Sequence, residues 1–132
     1  MAKDQWAKIE LRNTGKLTLV ARKSFLSATQ AVVLKSPFDK SIFRNNWFTE
    51  INSISSKTTE ASGTGSARLA EASNKAKLLS AGDSISFVNR LPYGPFLEDG
   101  GSQQAKEGII KVVASEWKYT VAKIARDIKN DK

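Results

Sequence analysis

Ser84-Ile85-Ser86-Phe87-Val88-Asn89-Arg90-Leu91-Pro92-Tyr93-Gly94-Pro95-Phe96-Leu97-Glu98-Asp99-Gly100-Gly101-Ser102-Gln103-Gln104-Ala105 is the stretch whose reading decides the fold. Its first six residues alternate, with Ile85, Phe87 and Asn89 on one side of an extended chain and Ser84, Ser86 and Val88 on the other, which predicts a strand. Pro92 keeps Leu91 out of helical geometry, and Gly100-Gly101 permits a reversal that side chains resist. A loop punctuated in this way presents side chains at fixed places. Beyond it, Ile110, Val113, Ala114, Trp117, Val121, Ile124, Ala125 and Ile128 recur at helical spacing, so 108–129 reads as one long amphipathic helix. In that stripe Trp117 reads as a core anchor, whose loss should cost about 3–5 kcal/mol.

Upstream the same logic gives the remaining elements. From Lys16 to Lys35, Leu17, Ala21, Phe25, Ala28 and Val32 form one apolar seam, and Leu19, Leu26 and Val33 a second about 100° around. So wide an arc needs two neighbours, and Pro37 ends the helix. Trp47, Thr49 and Ile51 alternate within a strand running to Ile54. Ser55–Ser66 is a Ser/Thr/Gly loop expected to be mobile in the free subunit, and Ala67–Ser80 a helix stopped by Gly82. Residues 3–12 read either as a helix or as an extended arm, with 1–15 a candidate N-terminal arm. The expectation is a single α+β domain over 1–132: a small antiparallel sheet packed against a long N-terminal helix, a middle helix and a long C-terminal amphipathic helix. Two strands alone are marginal in water, so the Ser/Thr loop or a partner subunit should extend the sheet.

Composition narrows the chemistry. The chain has no cysteine and no histidine, which removes disulfides, thiolate catalysis, Cys/His zinc sites and histidine-based triads together. No apolar run is long enough for a signal peptide or a membrane span, so synthesis in the cytoplasm without membrane association is expected. Adjacent carboxylates such as Glu98-Asp99 point apart in a strand and diverge in a helix, which makes a poor acid–base pair. Gly63-Thr64-Gly65 lacks the Gly-Lys-Ser/Thr that a phosphate cradle requires. No enzyme, cofactor or metal site is expected.

The net charge of +8 is uneven. Residues 1–36 carry seven basic side chains against two acidic, 108–132 carry six against three, and 37–107 carry eight of each. Basic ends suit phosphate contacts, and they equally suit the solvated faces of two surface helices. Charge leaves a small basic DNA-binding accessory protein as the alternative to the reading that follows.

Two blocks carry a resemblance. Ser36-Pro37-Phe38-Asp39-Lys40-Ser41-Ile42-Phe43-Arg44-Asn45-Asn46-Trp47 resembles the pattern Thr-Pro-Val-Asp-Thr-Gly-X-X-Arg-X-X-Trp. Residues 89–108 resemble Asn-X-X-Pro-Tyr-Ala-X-X-X-Glu-X-Gly-X-Ser-X-Gln-Ala-Pro-X-Gly. Both patterns, in this order and at this separation, are those of the tail-completion (head–tail joining, lambda minor tail protein Z-like) proteins of long-tailed bacteriophages. The matched positions are Pro37, Asp39, Arg44 and Trp47, then Asn89, Pro92, Tyr93, Glu98, Gly100, Ser102, Gln104, Ala105 and Gly108. Lys40-Ser41 replaces Thr-Gly, Gly94 replaces Ala, and Lys106 replaces Pro.

The resemblance implies a structural virion protein of the phage neck, assembled in the host cytoplasm. Such proteins form a homo-oligomeric ring, with sixfold symmetry the natural match to the tail tube. The ring touches the tail-tube or tail-terminator protein and the head connector (adaptor or stopper), and genomic DNA passes through its lumen without specific binding. Arg44 and Glu98, opposite in charge, are then expected to form a hydrogen-bonded ion pair. The basic residues, led by Lys16, Lys23, Lys118 and Lys129, are expected on outer or ring-stacking faces, where they steer acidic neighbours.

Overall fold

The computed structural model describes residues 7–13, 18–37, 41–92 and 108–130. Its elements are β1 (Ala7–Arg12), α1 (Thr18–Lys35), α2 (Ser41–Arg44), β2 (Trp47–Ile51), α3 (Ser66–Ala76), β3 (Ser84–Asn89), α4 (Ile110–Ser115) and α5 (Trp117–Asn130). This is the α+β architecture that the patterning predicts. One antiparallel sheet has the order β1-β3-β2, so the last strand in sequence lies between the other two.

The register shows why these segments pair. Leu11 and Ile51 both lie opposite Ile85, Ile9 and Thr49 opposite Phe87, and Ala7 and Trp47 opposite Asn89. Period-two alternation therefore puts Ile9, Leu11, Trp47, Ile51, Ile85 and Phe87 on one face, while Phe48 and Val88 pair on the other, and a slip of one residue would exchange the two sets. α1 crosses that face: Phe25 meets Phe87 edge-on at 6.3 Å, while Trp47 stacks on Phe87 at 5.2 Å. Phe25, Val32, Phe43, Trp47, Ile85, Phe87 and Ile109 are wholly enclosed. Full burial of side chains this large contributes about 1.5–3 kcal/mol each.

The third strand comes from neither expected source. It is the N-terminal arm, where Ala7, Ile9 and Leu11 alternate with Lys8, Glu10 and Arg12. Asn13 fixes the end of this arm: its N–H donates to the Asp83 carbonyl, and its carbonyl accepts from Gly82 N–H, both at 2.7 Å.

Three helices differ from their expected form. α1 packs against α3 on one side and α5 on the other, which explains its wide apolar arc, although Leu19 of the second seam is exposed. α3 stops at Ala76 rather than running on to Ser80, with Lys77 N–H bonded back to Ser73, and Gly82 (φ 89°) instead forms the turn into β3. The C-terminal helix breaks at Glu116 (φ −102°, ψ 2°), whose N–H bonds to the carbonyl of Val113. α4 buries Val113 against the core, whereas α5 has no buried residue.

Candidate functional site

The first block builds a corner at the end of α1. Ser36 N–H bonds to the Val32 and Val33 carbonyls, and Ser36 Oγ donates to the Val32 carbonyl at 2.8 Å. Trp47 Nε1 donates to Ser36 Oγ at 3.1 Å. Arg44 Nε donates to the Ser36 carbonyl at 2.9 Å and its Nη2 to the Leu34 carbonyl at 3.3 Å. A guanidinium here satisfies carbonyls that the ended helix leaves without partners, and sits at the negative end of its dipole. Pro37 is buried beside it.

Asn45 and Asn46, which the sequence reading passed over, tie down the Ser/Thr loop. Asn46 Nδ2 donates to the carbonyls of Ile42 (2.7 Å) and Thr59 (2.9 Å), and its Oδ1 accepts from Thr59 N–H. Asn45 Nδ2 donates to the Ala61 carbonyl at 3.1 Å. The loop then passes through Gly65, at φ 98°, where an added Cβ would lie 2.5 Å from Val33 Cγ1. Residues 54–64 have no regular structure, yet hydrogen bonds hold them at Ser55, Thr59, Ala61 and Gly63.

The second block meets the first at Asn89. This side chain is fully enclosed; its Nδ2 donates to the Phe43 carbonyl at 2.8 Å and its Oδ1 accepts from Leu91 N–H at 3.1 Å. Its register partner is Trp47. Arg90 Nε donates to the Ser55 carbonyl at 2.6 Å. The first motif and the start of the second, some forty residues apart in sequence, thus pack as one structural unit. Trp47 and Asn89 shape that unit from inside, while Pro92 lies at its surface, as do Leu34 and Ile42 (73% and 40% exposed). Asp39, Tyr93, Glu98, Gly100 and Gln104 lie outside the described residues, and with Glu98 so does the expected pair with Arg44.

The two edges of the sheet are finished differently. α3 packs along β2: Lys75 Nζ pairs with Glu50 Oε1 at 3.1 Å, and the Arg68 guanidinium lies 4.7 Å from the centre of the Phe48 ring. β1, bonded to β3 on one side, borders an open groove of about 510 Å³ on the other. Ile9 and Leu11 line it from β1, Phe25 and Ala28 from α1, Val113 from α4 and Trp117 from α5. Its origin is geometric. Helices pack about 8–10 Å apart and strands about 4.8 Å, so α3, α1 and the α4–α5 pair side by side overhang three strands.

Asp83 accepts from Asn52 Nδ2 at 2.9 Å and from Ser80 N–H at 2.8 Å, and these bonds hold its carboxyl below the ordinary aspartate range. Among the described residues no cluster of acidic side chains forms a metal-binding group, and no helix is long and apolar enough to cross a membrane. No protein-family model, curated protein or solved structure matches this chain.

Proposed function

We propose that this chain is a structural, non-enzymatic neck protein of a tailed-phage virion. Copies assemble into a ring, sixfold to match the tail tube, at the head-proximal end of the tail. The ring completes the tail, joins it to the head connector and leaves a channel for DNA. The observation that carries this reading is the meeting of the first motif block with the start of the second, through the Asn89–Phe43 bond and the Trp47–Asn89 register pair. Residues that resemble one family pattern in two separate blocks build one corner, as expected if the pattern records a single unit. Among the described residues nothing pairs with the outer edge of β1, which supports the assembly part of the reading. An unfinished edge beside an apolar groove favours a neighbour, and head-to-tail contacts close into rings when the rotation permits.

Negative-stain electron microscopy of the purified protein, alone and mixed with tails, tests the proposal. The expected result is closed rings that occupy one end of the tail. A protein that stays monomeric at every concentration and leaves tails unchanged would overturn it.

A further inference from the structure

Helix α5 has two unlike sides. Trp117, Val121, Ile124 and Ile128 face inward, and the helix packs along α1. On the outer side Lys118, Arg126 and Lys129 are all exposed and have no ion-pair or hydrogen-bond partner among the described residues. At 100° per residue the three fall within an arc of about 80°, and they span about 17 Å of helix. Exposed Ala122 lies between them. Asp127, the one acidic residue of α5, lies outside that arc and is held by Lys123 at 3.0 Å. Tyr119, 67% exposed, flanks the stripe.

We infer that the stripe Lys118–Arg126–Lys129 is a sequence-independent contact for the phosphate backbone of duplex DNA. The partner follows from what the surface offers and lacks. It offers a line of uncompensated positive charge, which a regular polyanion matches. The apolar side of α5 is turned to α1 and, at Trp117, to the groove, so the stripe itself presents charge with no apolar face beside it; an interfacial membrane helix or the groove for an acidic amphipathic helix needs such a face. It presents no planar array of side chains for reading base edges, so the contact positions DNA without selecting sequence. Such contacts leave DNA free to slide. The inference does not rest on ring formation.

The test is fluorescence anisotropy of the full chain with a labelled mixed-sequence duplex of about 20 base pairs, over about 50–200 mM salt. Three phosphate contacts contribute about −2.7 to the slope of log Kobs against log[salt], equivalent to about 40-fold in affinity over that range. The triple variant Lys118→Gln, Arg126→Gln, Lys129→Gln should lose that share, about 0.9 per residue. Lys57→Gln with Lys77→Gln, exposed on other elements, should leave the slope unchanged. Circular dichroism checks that the triple variant folds, and light scattering follows assembly in the same samples. Wild-type slope in the triple variant, or no wild-type binding at low salt, would overturn the inference. So would tighter binding of polyglutamate or anionic vesicles than of the duplex. Loss of DNA binding with assembly intact supports the inference; loss of assembly with the wild-type salt slope intact overturns it and leaves the neck reading standing.

Discussion

The two long edges of this small sheet differ more than any other pair of regions. Along β2, a helix covers the edge, an ion pair and a guanidinium–aromatic contact bridge to it, and the corner beside it encloses Trp47, Phe43 and Asn89. Along β1, no described residue continues the bonded ladder, an apolar groove opens, and the neighbouring helix α5 buries none of its residues. The closed side is where the chain spends its stabilising contacts. If the proposed assembly uses the open side, stability and assembly are separable, and substitutions on the two sides should have different consequences.

The largest effect is expected from Trp47→Ala, which removes a fully enclosed indole with two aromatic contacts and a hydrogen bond to Ser36. It should cost about 3–5 kcal/mol in denaturant unfolding. Trp117→Ala, on the open side, should cost only about 1–2 kcal/mol, because the indole is half-buried beside the groove, and should instead weaken assembly in light scattering. Equal losses of stability from the two tryptophans would erase the distinction between the edges. The apolar stripe alone makes Trp117 a core anchor; the break at Glu116 and the overhang of α5 reduce it to a groove wall.

Asn89→Ala should come next, at about 2 kcal/mol, since it strands the Leu91 N–H and removes one of two donors to the buried Phe43 carbonyl, which keeps the Asn46 N–H. Gly65→Ala combines a left-handed backbone with a Cβ pressed on Val33 and should cost about 2 kcal/mol, read from the melting midpoint. A neutral outcome at Gly65 would show that the pinned loop yields more readily than its hydrogen bonds imply.

The smallest effect sharpens the comparison at the end of the sheet. The depressed carboxyl of Asp83 favours the folded state above the ordinary aspartate value of about 3.9, and that contribution fades as pH falls through the lower folded value. An NMR titration should place the Asp83 midpoint below that of a free aspartate, and Asn52→Ala should move it back up. A normal midpoint in the wild-type chain would show that the Asn52 and Ser80 bonds are not maintained in solution.

Much of this was legible in the sequence. Period-two alternation in 47–51 and 84–89 and helical spacing in 18–35 are local signals, because each follows from the geometry of one element burying one face. Pro37 and Trp47 were likewise visible as an end and an anchor. Arg44 was visible as a motif position, but its hold on the carbonyls that end α1 was not, because backbone groups leave no mark in the sequence; Glu98, the partner that its charge suggested, lies outside the described residues. Asn45 and Asn46 carried no periodic signal, so their hold on the 54–64 loop emerged only when the loop was folded back over them.

The sequence by itself determined the α+β class, the apolar faces and the absence of histidine and cysteine chemistry, all of which depend on residue type and spacing alone. Only the tertiary structure decided that the N-terminal arm is the third strand, that the two motif blocks share one corner through Asn89, and that β1 is the edge left open. Those facts depend on which segments meet across long stretches of chain. Spacing fixes the face each segment must bury, but the competition among partners for that face is settled only when the whole core closes.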